Sequence, residues 1–129
     1  MLKIRLIVLL TCFLAVTCQA AKIEEIKARG YLKCGVSTGL AGFSYVDESG
    51  KWAGFDVDFC RATAAAVFGD ADKVDYTPLT TKNRFTALQG GEIDVLIRTT
   101  TWNFTRDTGL GLGFSVVNFY DGQAFMVPK

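Results

Sequence analysis

Along residues 31 to 97 the apolar residues switch between two periods, and this switching limits the fold more than any other feature of the chain. Tyr31 to Ser37, with Tyr31, Leu32 and Val36, reads as a strand. Phe55, Phe59, Ala62 and Ala66 then recur at i, i+4, i+7 and i+11, the spacing of one apolar stripe on a helix. Asp56 and Asp58 stand in its first turn, where negative charge suits the helix dipole, and Gly69 ends it. Lys73 to Leu79 gives a second strand, with Pro78 near its end, where a missing N–H is tolerated. Asn83 to Gln89 reads as a second short helix with Phe85 and Leu88 inward, stopped by Gly90-Gly91. Ile93 to Ile97 is a dense apolar run, the mark of a buried parallel strand. Ile23 to Arg29 forms a short helix with Ile23 and Ile26 on one side, ended by Gly30. Ser44 to Val46 and Lys51 to Ala53 flank a turn signal and suit a small hairpin. Leu110 to Tyr120 and Gln123 to Val127 read as further strands. The order β–α–β–α–β implies an α/β domain with a mostly parallel sheet.

Such sheets hold ligands at the carboxyl ends of their strands. Three loops lie there: Ser37 to Ser44, Leu79 to Asn83, and Arg98 to Arg106. In the third, Thr99, Thr100 and Thr101 follow the buried strand directly, and their hydroxyls and backbone N–H groups suit a carboxylate. Arg106 lies a few residues on, and a guanidinium grips a carboxylate with two parallel hydrogen bonds. A charge-assisted bond of this kind contributes ~1.5–3 kcal/mol. Two plainer readings stay open. Arg106 also fits a solvated surface residue paired with Asp107 or another acid, and the threonines also fit ordinary β-branched filling of a strand edge. Phe43, Trp52 and Trp102 are the aromatics nearest the strand ends, for a ligand's apolar stem or cation, or for core and hairpin packing.

Much chemistry is excluded. The chain has no histidine, so it lacks the commonest general base and metal ligand. No Ser-His-Asp or Cys-His set can be assembled, and no Gly-rich phosphate loop ending in Lys-Ser/Thr occurs. No metal or cofactor is expected. Gly109 to Gly113 is a pliable loop, and the sequon Asn103-Phe104-Thr105 is a triplet common by chance. A formal net charge of +1 gives no reason to expect nucleic acid or an anionic membrane as partner.

The first twenty residues have the order of a secretory signal. Lys3 and Arg5 precede the apolar run Leu6 to Val16, and Cys18-Gln19-Ala20 places small residues before a cleavage point after Ala20. The run is short for a membrane span, which takes ~20 residues. An uncleaved anchor and lipidation at Cys18 remain alternatives. Cleavage leaves residues 21–129 as one small domain with two cysteines, Cys34 and Cys60. In an oxidising compartment these form a disulfide, and otherwise two buried thiols.

Four segments carry a family resemblance. Leu32 to Ser44 reads LKCGVSTGLAGFS, Gly54 to Ala66 reads GFDVDFCRATAAA, Phe85 to Thr101 reads FTALQGGEIDVLIRTTT, and Phe114 to Val127 reads FSVVNFYDGQAFMV. Together they resemble the solute-binding proteins of polar amino-acid ABC transporters, family 3, and within it the general L-amino-acid-binding branch. The resemblance implies a periplasmic-binding-protein-like lobe that is no enzyme. Its role there is to bind an amino acid in the periplasm and deliver it to a membrane permease. It implies that Arg106 binds the ligand's α-carboxylate and that Thr99 and Thr101 contact the carboxylate or the α-amino group. Ser37 and Leu40 lie in the loop that shapes the side-chain pocket. Many binders of basic amino acids carry an aromatic near Leu40, and its absence here points away from Lys/Arg specificity. Arg98 stands where relatives often have a small polar residue. Cys34 and Cys60 resemble the branch's paired cysteines, which implies a strand-to-helix disulfide.

Family members are more than twice as long, with a second lobe built from the middle of the chain. Residues 21–129 are therefore expected to be the amino-terminal part of lobe one, with lobe two missing. A fragment, a split or non-functional gene product and a true one-lobe protein all fit. Contacts from one face alone amount to about −4 kcal/mol, which is millimolar binding. A cleft enzyme on the same fold, of dehydratase type, is the alternative function, with Glu92, Asp94, Asp107 and Asp121 as its candidate acids.

Overall fold

The protein is described here by a computed structural model covering residues 18–128. The signal segment expected from the sequence lies outside those residues up to position 17. The chain divides into two compact units, the first ending at Thr99 and the second beginning at Thr100.

The first unit runs α1 (Cys18–Arg29), β1 (Leu32–Ser37), β2 (Tyr45–Val46), β3 (Trp52–Ala53), α2 (Phe55–Phe68), β4 (Val74–Leu79), α3 (Arg84–Gln89) and β5 (Val95–Leu96). Its sheet is parallel in the order β4–β1–β5. β1 pairs with β4 from Leu32 opposite Val74 to Ser37 opposite Leu79. On its other edge Cys34 faces Val95 and Gly35 faces Leu96. Flanking bonds from Asp94 N–H to Lys33 O and from Ile97 N–H to Gly35 O, each 2.9 Å, carry that pairing over most of the apolar run read from the sequence. β2 and β3 form the expected antiparallel hairpin.

The residues of β1 alternate between two cores, as strand geometry requires. Leu32, Cys34 and Val36 pack with Ile26 of α1 and with Cys60 and Ala64 of α2. On the other face Leu79, Ala87 and Ile93 form a second cluster, with Leu88 and Leu96 against it. Gly35 is what lets that cluster close. A Cβ there would stand 2.5 Å from Ile93 Cδ1 and 2.8 Å from Leu79 Cδ1. Cys34 and Cys60 are disulfide-bonded and fully buried, so a covalent link joins the middle strand to the helix crossing it.

Three expectations need correcting. The apolar stripe of α2 is not the buried one: Asp56, Val57, Cys60 and Ala64 face inward, while Phe59 is 37% exposed and Ala62 and Ala66 are open to solvent. This helix is apolar nearly all round, and Val57, Cys60, Ala64, Val67 and Phe68 make a second stripe that periodicity alone does not rank below the first. The disulfide selects it. In α3 the fully buried positions are Arg84 and Ala87 rather than Phe85 and Leu88, which are half-buried. Finally, Leu110 to Tyr120 and Gln123 to Val127 form no strand among the described residues, and Val116, Tyr120, Phe125 and Met126 are at least 75% exposed. Apolar composition makes no strand without a neighbour to take its backbone hydrogen bonds.

Asp94 anchors the amino-terminal edge of the sheet. Its side chain is fully buried, accepts the Lys33 N–H at 2.9 Å, and pairs with the Arg29 guanidinium and with Lys22 Nζ at 3.3 Å. That edge is opposite the strand ends where a ligand would sit, so Asp94 is a fastening for α1 and not a cleft acid.

Two measurements test this core. Replacing Cys34 and Cys60 together by alanine is expected to lower unfolding stability by about 3–4 kcal/mol for a 26-residue separation, read by urea titration against the oxidised parent. A double variant with the same urea midpoint as the oxidised parent would show that the bond carries no stability. Gly35→Ala is expected to cost about 1–3 kcal/mol through overpacking, in the same titration.

Candidate ligand site at the strand ends

The loop after β1 is closed on itself. Leu40 N–H donates to Ser44 O at 2.7 Å, and Ser44 N–H returns to Leu40 O at 3.0 Å. Ser44 is fully buried, and its hydroxyl accepts the Ser37 N–H at 3.1 Å. Ser37 is buried at the tip of β1, Leu40 is 41% exposed, and Phe43 is half-buried with its ring edge-on to Phe55 at 6.0 Å.

The first turn of α2 holds that loop in place. Helix N-termini leave N–H groups unsatisfied. Here Phe55 N–H donates to Gly42 O at 3.0 Å and Asp56 N–H to Phe43 O at 2.8 Å. The approach requires glycine at position 54. Gly54 has φ 118°, and a Cβ there would stand 2.5 Å from Phe43 O.

Charged side chains brace the other two strand ends. Arg84 of α3 is 5% exposed, donates from Nη1 to Thr99 O at 3.2 Å, and lies over the Phe85 ring at 4.7 Å. Arg98, just past β5, donates from Nη1 to Leu79 O at the end of β4. Because β1 lies between β4 and β5, that side chain spans the carboxyl end of the middle strand. Asp56 is 3% exposed. Burial pushes its carboxyl up to about 6, against the smaller pull of the Arg98 guanidinium. Burial lowers Arg98 in turn, with Asp56 opposing. At the β4 end, Asn83 Oδ1 accepts Thr80 N–H at 2.7 Å and Thr80 Oγ1 at 2.8 Å.

In the second unit, Arg106 lies in a π-helical turn, Thr105–Gly109. Its Nη1 donates to Thr101 O at 2.7 Å and its N–H to Asn103 Oδ1 at 3.0 Å, which folds residues 101–106 into a short arch. Thr101 is exposed, Thr100 half-buried, and Trp102 stacks flat on Phe114 at 5.6 Å. The sequence-derived set thus divides between the units: Ser37, Leu40, Phe43 and Thr99 belong to the first, and Thr100, Thr101, Trp102 and Arg106 to the second.

Sequence reasoning missed Asp56, Arg84 and Ser44 as buried polar groups. Asp56 reads as a solvated dipole charge unless it is placed on the face of Val57 and Cys60. Arg84 shares a helical face with Ala87, three residues on, and that spacing was the available signal.

Residues 32–129 match the family described as bacterial extracellular solute-binding proteins, family 3. The chain is 62% identical over 110 residues to the general L-amino acid-binding periplasmic protein AapJ of Rhizobium johnstonii, covering 85% of this chain and 32% of that protein. A periplasmic binding protein from Brucella ovis with glutathione bound superposes with a TM-score of 0.73 at 59% identity, over 75% of this chain and 30% of that one. Domain 1 from TmArgBP, in a mutant of its arginine-bound form, superposes with a TM-score of 0.59 at 35% identity, over 66% of this chain and 64% of that one. The chain spans about a third of the length of AapJ and of the Brucella protein. From the sheet order, the loops at its carboxyl ends and these matches together, the chain belongs to family 3 of the bacterial extracellular solute-binding proteins.

Proposed function

We propose that this chain is the amino-terminal part of lobe one of an amino-acid receptor that works in the periplasm with an ABC-type permease. Arg106 takes the ligand's carboxylate, helped by Thr99, Thr100 and Thr101. Ser37, Leu40 and Phe43 border the ligand's side chain, Trp102 serves its apolar stem, and residues 1–20 direct export. The observation that carries the reading is the Arg106 arch. The guanidinium is already ordered on Thr101 O, so less side-chain entropy is lost when it takes up a carboxylate. The loop Ser37–Ser44 is likewise fixed by α2 before any ligand arrives.

The relatives guide the choice of ligand. AapJ is described as binding general L-amino acids, and the Brucella protein holds glutathione, whose γ-glutamyl end presents a free α-amino acid. The arginine-bound domain 1 supports the idea that one lobe offers a usable surface by itself. The enzymatic alternative keeps Glu92, Asp107 and Asp121 as candidate acids, while Asp94, which opens a strand, is held in ion pairs at the far edge of the sheet.

Isothermal titration of the full chain with L-glutamate, L-glutamine, L-arginine and glutathione tests the proposal. Binding in the millimolar range is expected for at least one of them, from contacts of about −4 kcal/mol. Arg106→Ala is expected to weaken it at least tenfold, with the melting temperature of the unliganded chain unchanged. Equal affinity in the Arg106→Ala variant would remove Arg106 from the site.

A further inference from the structure

Arg98 leaves the end of β5 and reaches over the end of β1 to Leu79 O at the end of β4. A guanidinium has five N–H donors and no acceptor. Among the described residues, Leu79 O is the acceptor Arg98 holds, its Nε is enclosed with none, and no carboxylate forms an ion pair with it. An enclosed donor without an acceptor is rare in proteins and points to something that is still to bind. The side chain as a whole is half-buried, so part of it stays open to a ligand at the strand ends. We infer that Arg98 is a specificity-determining residue: it favours ligands with a second carboxylate, namely amino acids with an acidic side chain and γ-glutamyl peptides, over neutral and cationic ones.

The surroundings match that ligand in sign. No Asp or Glu occurs from Tyr76 to Gly91, a stretch that covers the end of β4, the loop after it and all of α3. Within it Lys82 is exposed in the strand-end loop, without an ion pair among the described residues, and Arg84 opens α3. The loop Ser37–Ser44 adds no charge. Acids enter from the start of α2, where Asp56 is buried and Asp58 is exposed, and neither forms an ion pair with Arg98 or Lys82. Asp47 is turned onto its own hairpin, accepting Ser49 N–H at 2.8 Å and Lys51 N–H at 3.0 Å. Fixed positive charge at the strand ends draws anions in, and a guanidinium with spare N–H groups then gives a carboxylate charge-assisted bonds. A glutamine amide offers Arg98 an oxygen without the charge, and a lysine or arginine ligand sets a second cation against it. The inference deepens the ligand reading given above and rests on it, because it concerns the ligand's side chain and leaves the α-carboxylate to Arg106.

L-glutamate and L-glutamine differ by one charge at nearly equal shape, so NMR chemical-shift titration of the full chain with each isolates the claim. At low salt L-glutamate is expected to bind about tenfold tighter than L-glutamine, and L-arginine more weakly than either. Arg98→Gln is expected to bring glutamate and glutamine within about twofold of each other by weakening glutamate alone. Arg98→Lys keeps the charge without the fork and is expected to retain part of the preference. Lys82→Gln is expected to reduce the preference at low salt and to have no effect at high salt, where an exposed charge is screened. Equal affinity for the two ligands in the parent would overturn the inference, as would a glutamate preference that survives Arg98→Gln intact. The parent comparison needs no substitution, so a variant that fails to fold does not shield the claim. Glutarate, which has both carboxylates of glutamate and no amino group, separates this inference from the amino-acid reading. Should no amino acid bind, glutarate shifts at Thr80 to Asn83, Arg98 and Thr99 that vanish in Arg98→Gln would support the anion site while the amino-acid reading fails. A parent indifferent to all of these ligands would overturn both.

Discussion

β1 has both faces covered and both edges paired, and the rest of the first unit is arranged around that confinement. Leu32, Cys34 and Val36 need a helix on one side, and α2 supplies it. Gly35 needs a flat approach on the other, and the side chains of Leu79, Ile93 and Leu96 close over it. The parallel partners β4 and β5 then fix where every loop emerges, because parallel pairing sends all three carboxyl ends to the same edge. Three loops meeting at one edge is the condition for a ligand site on a sheet of this kind.

At that edge most of the order comes from polar contacts, not from packing. The loop after β1 is stitched by Leu40 and Ser44 and docked onto the first N–H groups of α2. Arg84 and Arg98 reach from their own elements to carbonyls on other strands' exits. Such contacts are individually modest in water, but they gain weight where solvent is excluded. They also fix direction, which apolar packing does not.

The layered order of strands and helices was legible in the sequence, as were the hairpin and the glycine stops at Gly30 and Gly69. Each follows from local spacing or from one residue's backbone freedom. The inward face of α2 was not legible, because two apolar stripes compete on it and a long-range bond decides between them. The strands expected beyond residue 110 failed for a related reason, since pairing depends on a neighbour that local composition does not reveal. Among the candidate ligand residues, Arg106 and the threonines stood out by chemistry. Asp56 and Arg84 did not, because a charge in a first helical turn and an arginine opening a short helix both look like ordinary surface residues. Their burial is a property of the assembled fold.

The sulfurs of Cys34 and Cys60 have no exposed surface. Once the strand and helix have closed over them, small-molecule oxidants and oxidoreductases have no path in. The covalent link is therefore made while the strand and helix are open, during first folding or a later opening. A batch matured in a reducing compartment and a batch matured in an oxidising one would start as two chemically distinct molecules with one sequence, and air would convert the first into the second only as fast as the fold opens.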